Sequence, residues 1–215
     1  GIVCTKWALT QGEGRNIVVG NLGGLQYTGR LEYLPFGRFT DGSAFSGSDL
    51  QREPTPKLIV GYTYNFNDDA VRDRNTLGSF MELGNGALHT SDISTQFLDL
   101  IFKYQGASVL LEYAHRTATN PEIINANGSV QGYVYTGSAM NAAGGLMISE
   151  KNEIAVRYTY VSEQSDHLHL LQQYTIGFNR FLVGHSFKIQ TDLNYTTDNL
   201  DSQYWELRSG FELHF

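Results

Sequence analysis

The feature that most constrains this chain is an alternation of apolar and polar residues with a period of two, which recurs about every 20 residues. In the last such segment, Trp205, Leu207 and Phe211 share one parity, whereas Glu206 and Arg208 share the other. Because successive side chains of a β-strand point to opposite faces, each segment predicts a strand with one apolar and one polar face. No helical i, i+3, i+4 pattern of useful length interrupts the series, so we expect an all-β chain without helices.

The alternation predicts about ten strands, which are joined in turn by short turns and by longer polar links. Their expected ranges are 2–10, 24–34, 57–66, 95–105, 108–117, 132–148, 153–163, 170–181, 186–197 and 203–215. Short turns are expected near 105–107, 149–152 and 182–185, and longer links at 67–94, 118–131 and 164–169. The link at 35–56 departs from this order, because it is long and yet falls at the end of the sheet that otherwise carries the short turns.

The composition excludes several classes of protein. The 215 residues include 13 Tyr, 12 Phe and 23 Gly but only 17% charged residues, which is not the composition of a disordered chain. A single Cys excludes a disulfide scaffold and a Cys-rich zinc module, and the net charge of -7 argues against a nucleic-acid-binding protein. No apolar run approaches the ~18 residues of a membrane-spanning helix. The mean hydropathy of -0.28 would suit a soluble protein, but it averages an apolar face with a polar one.

Alternation of this kind fits a soluble β-sandwich as well as a membrane β-barrel, since one face is buried in both. Two features favour an antiparallel transmembrane β-barrel. The expected strands have about 10–12 residues, the length that crosses a bilayer at a tilt. In addition, the apolar faces end in aromatic residues, which the two membrane interfaces favour. The aromatic girdle predicted in this way comprises Tyr33, Tyr64, Tyr158, Tyr160 and Trp205.

In such a barrel the polar faces of the strands would line the lumen. The pore-lining residues predicted from parity are Arg30, Glu32, Lys103, Glu112, Arg116, Arg157, Lys188, Asp192, Glu206 and Arg208. Further charged residues at the same parity are Lys57, Asp99, Glu153 and Glu212. Cationic and acidic residues balance in number, so we expect no strong field of a single sign in this part of the lumen.

The chain ends in an apolar strand whose last residue is Phe215, which resembles the C-terminal assembly signal of bacterial outer-membrane barrels. If this end is periplasmic, the short turns share that side and the longer links lie outside, as in such barrels. We therefore expect 35–56 to be a long periplasmic connection and 67–94 a long extracellular loop. Small residues in one strand would let an inward-folded loop or a neighbouring subunit approach closely. These residues are Gly137, Ala139, Ala142, Ala143, Gly144 and Gly145.

Three segments carry a resemblance to a known family. They are GGLQYTGRLEYLPFGRFTDG (23–42), SDLQREPTPKLIVGYTYNFNDDA (48–70) and TQFLDLIFKYQGASVLLEYAHR (95–116). Together they resemble the phosphate-selective porin O/P family. The resemblance implies a 16-stranded barrel, usually trimeric, in the outer membrane of a Gram-negative bacterium. On that basis the chain is expected to be a single barrel domain over 1–215 that forms the C-terminal part of a longer porin and lacks its first strands. The balanced lumen charges put the family's phosphate selectivity in doubt.

The residues offer weak support for catalysis or metal binding. His115 is expected at the rim of the apolar face with Ser162 and Thr117 in reach, but no G-x-S-x-G motif or acidic partner accompanies it. Asp166, His167 and His169 form the one metal-like group, without the additional ligands of a typical site. We therefore expect no enzyme activity, no metal and no cofactor.

The function expected from the sequence is that of an outer-membrane porin, through which small hydrophilic solutes or anions diffuse passively. Phosphate is one candidate among these anions. Its partners would be outer-membrane lipid and lipopolysaccharide, the solutes, and further copies of the chain in a homotrimer or a larger membrane assembly. The alternative from another class is a structural or accessory barrel that binds partners of a larger assembly through the links at 67–94 and 118–131. A third hypothesis is that the chain is a soluble all-β binding domain.

Overall fold

A computed structural model describes residues 1–15, 17, 22–164, 168–200 and 202–214. Within these residues ten strands form one antiparallel sheet, and two further pairs of strands form separate hairpins. In chain order the strands are β1 (Ile2–Thr10), β2 (Gln26–Leu34), β3 (Lys57–Ala70), β4 (Arg72–Arg74), β5 (Leu77–Phe80), β6 (Ser91–Tyr104), β7 (Ala107–Ala118), β8 (Glu122–Ile124), β9 (Val130–Tyr133), β10 (Thr136–Met147), β11 (Asn152–Gln164), β12 (Leu168–Val183), β13 (Phe187–Asp198) and β14 (Gln203–Leu213).

The large sheet is a simple meander, in which each long strand pairs with the next one along the chain. Its order is β1-β2-β3-β6-β7-β10-β11-β12-β13-β14. The ten strands predicted from alternation are confirmed, with ends that differ by up to four residues. The register keeps parity across the sheet: Tyr158 pairs with Tyr174, Tyr174 with Tyr195, and Tyr195 with Trp205. Side chains of one character therefore share one face over many strands.

Three short elements inside the links were not predicted from the sequence. The hairpins β4–β5 and β8–β9 lie within the links expected at 67–94 and 118–131, and a 3₁₀ helix covers Thr40–Phe45 in the link between β2 and β3. The expectation of a helix-free chain was wrong for this 3₁₀ helix. The helix and each strand of the two hairpins have six residues or fewer, which is too short to show a periodic pattern. No helix among the described residues is long and apolar enough to cross a membrane.

The apolar face of the sheet is exposed and the polar face is partly buried, which is the reverse of the pattern in a soluble protein. The apolar face, which we call the outer face, is uncovered: Trp7 is 82% exposed, Leu207 71% and Phe211 73%. The opposite, inner face carries most of the charged and amide side chains, and it contains buried groups such as Lys103 and Asn194. The hydrophobic effect would not leave so many large apolar side chains in water.

The inner face is concave. Arg30 on β2 and Lys188 on β13 border the same cavity although six strands lie between β2 and β13 in the sheet order. A sheet that curves in this way has the curvature that a β-barrel requires. In the described part of the chain, however, no pairing joins β1 to β14, so both strands are edges and closure of the barrel is not observed.

The links alternate between the two ends of the sheet, as the sequence predicted. The short turns between β6 and β7, β10 and β11, and β12 and β13 lie at one end, which we call the short-turn end. The link 35–56 lies at the same end, and the links that contain the two hairpins lie at the opposite, long-loop end.

A small hydrophobic cluster ties the two hairpin-containing links together at the long-loop end. Its buried side chains come from β3, the link after β5, β6, β8 and the residue after β9. They are Ala70, Met81, Ile93, Ile123 and Val134. Because these residues are far apart in sequence, packing among them fixes the position of both links over the end of the sheet.

Replacing Ile93 by Ala tests this cluster. Ile93 is 0% exposed, so the cavity left by I93A should lower the free energy of unfolding by about 2–4 kcal/mol. The measurement is a urea titration of the protein in detergent micelles, followed by near-ultraviolet circular dichroism. The matched control is I124A in β8, whose side chain is 45% exposed. Equal losses for the two variants would show that the cluster does not stabilise the links.

Candidate functional site

The candidate functional site is the concave inner face. The structure places all ten residues that were predicted to line a pore at the inward parity of their strands, as the register shows for the pairs Lys188–Glu212 and Asp192–Arg208. Their strands are β2, β6, β7, β11, β13 and β14. Their shared face follows from parity, whereas their role in lining a pore stays a prediction.

The charge cluster with the most contacts on this face is centred on Arg30. Its guanidinium makes two hydrogen bonds to the carboxylate of Asp99, at 2.6 and 2.8 Å, and a third to Glu32 at 2.8 Å. Lys6 donates to the same Glu32 carboxylate at 3.2 Å. The Arg30–Asp99 pair crosses over β3 at Gly61, where a Cβ atom would collide with both side chains. Glycine at this position therefore permits a bidentate ion pair between strands that are not neighbours.

The remaining cations on the inner face also have partners. Lys188 pairs with Glu212 at 2.8 Å, and Arg208 pairs with Glu206. Arg116 donates to the Thr95 hydroxyl at 3.1 Å. Arg157 donates to Gln173 Oε1 at 3.2 Å. Lys188 and Arg208 are thus compensated by carboxylates, whereas Arg116 and Arg157 bind neutral groups.

Part of the 35–56 link folds inward over this face. Lys103, which is 0% exposed, donates from Nζ to Ser46 Oγ at 3.0 Å and to the Ser48 carbonyl oxygen at 3.1 Å. On the other side, Ser48 Oγ donates to Glu153 at 2.8 Å, and the same carboxylate accepts from Asn179 at 2.7 Å. The segment 44–53, which we call the inner segment, is therefore held between β6 and β11.

Two buried carboxylates hold the base of the inner segment. Asp49 accepts hydrogen bonds from the backbone N–H of Gly106, at 2.7 Å, and of Glu53, at 3.1 Å. Glu53 in turn accepts from the backbone N–H and the hydroxyl of Thr40, at 2.6 and 2.9 Å. Arg52 donates to the Met147 carbonyl oxygen at 3.2 Å. These bonds join the segment to two short turns, and because Asp49 and Glu53 are buried, the bonds to their carboxylates are costly to lose.

Apolar contacts complete the attachment. Phe39 and Ala44 are buried against Ile59 and Ile101 on the inner face. Small residues on β10 leave the space: Ala143 and Gly145 border the same cavity as Ser46 and Ser48, and a Cβ atom at Gly145 would meet the Glu153 carboxylate. The sequence predicted that an inward-folded loop could approach these small residues. In the structure the segment beside them is 44–53.

The link 67–94 also reaches the inner face, but at the long-loop end. Asn75, between β4 and β5, donates to Asn65 Oδ1 at 2.9 Å and accepts from Asn67 Nδ2 at 2.7 Å. Gln26 donates to Asn65 at 3.1 Å. This buried amide network fixes the β4–β5 hairpin over one side of the concave face.

An open cavity of about 540 Å³ lies on the inner face beside the inner segment. The charged residues that border it are Arg30, Asp99, Glu112, Glu153 and Lys188. In the turn after β12, burial and the nearby cations Lys103 and Lys188 lower the pKa of His185.

The structure gives no support to catalysis in the described residues. His115 Nδ1 lies 2.8 Å from Ser138 Oγ, rather than beside Ser162 or Thr117 as expected. No hydrogen bond from this imidazole to an acidic side chain is present among the described contacts, and a Ser–His pair alone lacks the remaining parts of a hydrolase site. In the same residues no group of three or more His, Cys, Asp or Glu side chains could hold a metal. Asp166, His167 and Phe215 lie outside the described residues.

Comparisons with known proteins show only a distant structural likeness. No protein-family model matches the chain, and no curated protein matches it. Among solved structures, the chain is similar to OmpTdeltaL8, a loop L8 deletion mutant of OmpT, an outer membrane protein of Vibrio cholerae. The likeness has a TM-score of 0.45 and 12% sequence identity, and it covers 97% of this chain and 74% of that chain. Function therefore has to be argued from the sheet itself, and the resemblance to the phosphate-selective porin O/P family stays a prediction.

Replacing Lys103 by Met tests how the inner segment is held. The variant removes the ammonium group that binds Ser46 and Ser48, so the backbone amides of residues 46–49 should exchange about tenfold faster with deuterium. Hydrogen–deuterium exchange read by mass spectrometry measures this change. The control is K57M, because Lys57 pairs with Lys103 in the sheet but donates only to the Phe36 carbonyl oxygen at 3.3 Å. Unchanged exchange in K103M would show that Lys103 does not hold the inner segment.

Proposed function

We propose that this sheet forms part of the wall of an outer-membrane β-barrel through which small hydrophilic solutes diffuse. The observation that carries the proposal is the inverted distribution of side chains. Large apolar residues such as Trp7 and Leu207 are uncovered on the outer face, whereas Arg30 and Asp99 lie on the concave inner face. This arrangement suits hydrocarbon outside and water inside.

The outer face also carries the aromatic residues that a membrane boundary favours. Tyr158, Tyr174, Tyr195 and Trp205 follow one another across β11–β14, with ring centroids 5.1 Å apart in the first pair and 4.7 Å apart in the last. Tyrosine and tryptophan are favoured at the level of the lipid headgroups, because one end of the ring is apolar and the other is polar. The row supports the predicted girdle at Tyr158 and Trp205.

A barrel in lipid must be closed, since an unpaired strand edge leaves backbone N–H and C=O groups in hydrocarbon without partners. Strands β1 and β14 are such edges in the described residues. We propose that additional strands close the sheet, in agreement with the 16 strands that the family resemblance implies. The same resemblance underlies the proposed trimer, the Gram-negative outer membrane, the periplasmic position of 35–56 and the extracellular position of 67–94.

The charges on the inner face favour a channel with weak ion selectivity. A phosphate-selective site needs cations that are free to bind the anion. The two cations that border the cavity, Arg30 and Lys188, instead pair with Asp99, Glu32 and Glu212. General passage of hydrophilic solutes is therefore better supported by this part of the lumen than phosphate selectivity.

Conductance in planar lipid bilayers tests the proposal. The purified protein should produce discrete single-channel steps in KCl, with a reversal potential near zero in a salt gradient, because cationic and acidic residues of the inner face balance in number. K103M should raise the step size, since it releases the inner segment from Lys103, whereas K57M should leave the step size unchanged.

Insertion must be checked independently, by heat-dependent mobility in gel electrophoresis. Inserted protein that gives no steps, and that copurifies with other membrane proteins, would contradict the channel and support the accessory-barrel alternative. Protein that stays soluble without detergent would contradict both.

A further inference from the structure

Phe45, the last residue of the 3₁₀ helix, presents an exposed aromatic ring to the inner cavity. Its side chain is 72% exposed and borders the cavity, although it belongs to the inner segment. The ring is not needed for attachment, because Phe39 and Ala44 supply the buried apolar contacts to Ile59 and Ile101. A large apolar ring in a watery cavity is unfavourable unless a ligand covers it.

Hydrogen-bonding groups surround this ring. Ser46, Ser48, Asn179 and Gln190 border the same cavity. Asn179 is 9% exposed, and its Oδ1 atom has no hydrogen-bond partner, while its Nδ2 donates to Glu153 at 2.7 Å. A buried amide oxygen without a partner is a costly feature that a hydroxyl group of a ligand would satisfy.

The charges around the ring disfavour an anion. Three carboxylates (Asp99, Glu112 and Glu153) and two cations (Arg30 and Lys188) border the cavity. Both cations already have acidic partners, with Arg30 bound to Asp99 at 2.6 Å and Lys188 to Glu212 at 2.8 Å. An anion would therefore meet an excess of negative charge without a free cation to bind it.

We propose that this cavity binds a neutral polyhydroxylated solute, a mono- or disaccharide, with one face of the sugar ring stacked on Phe45. A sugar has C–H groups on its ring faces and hydroxyl groups at its edge, which match one aromatic face and a rim of donors and acceptors. The cavity of about 540 Å³ is of the size that holds a small ligand. The inference rests on the proposed channel function, since it names a solute class for the same lumen.

Isothermal titration calorimetry with maltose tests the inference on the full chain, in a detergent without a sugar headgroup. The wild-type protein should bind maltose, F45A should bind it about tenfold more weakly, and F45W should retain binding. The matched control is F36A, because Phe36 is exposed on the same link and does not border the cavity. Inorganic phosphate should show no binding.

Binding and conductance separate the two proposals. Maltose binding that depends on Phe45, in a protein without single-channel steps, would support the sugar site and contradict the channel. Single-channel steps without maltose binding, equal affinities for wild type and F45A, or phosphate binding in place of maltose would each overturn the sugar site and leave the channel standing.

Discussion

Backbone pairing between neighbouring strands is the interaction on which the rest of this structure depends. In the described part of the chain, nine antiparallel pairings join ten strands, and no second layer covers the outer face. A soluble sheet gains its stability by burying one face against another layer. Here the register instead keeps apolar residues on the outer face and polar residues on the inner face, so the stability of the sheet depends on the solvent that each face meets.

The inner segment forms one side of the cavity on the inner face. Three buried polar residues hold it in place. Lys103 on β6 binds the segment, and Asp49 and Glu53 within the segment bind Gly106 in a short turn and Thr40 in the same link. Buried groups of this kind specify one position strongly, because each lost hydrogen bond leaves a desolvated partner. The segment covers part of the inner face at the short-turn end and carries Phe45 to the cavity.

The sequence was informative where structure follows a local period. Alternation located the ten long strands and gave the face of residues such as Arg30 and Asp192, because parity is preserved along the strands except at register shifts near the ends of β3 and β12. It could not predict the hairpin β4–β5 or the 3₁₀ helix, because their three to six residues per element are too few to repeat a period several times. It also could not predict that Lys103 binds Ser46 and Ser48, since this contact joins residues more than 50 positions apart and depends on how the link folds.

Fluorescence quenching of the two tryptophans tests the central claim, that lipid covers the outer face. Trp7 and Trp205 are the two tryptophans of the chain, and both lie on that face. In bilayers of brominated phosphatidylcholine, their emission should be quenched strongly, whereas aqueous acrylamide should quench it much less, because lipid covers the outer face. Strong quenching by acrylamide together with no effect of the brominated lipid would contradict the account.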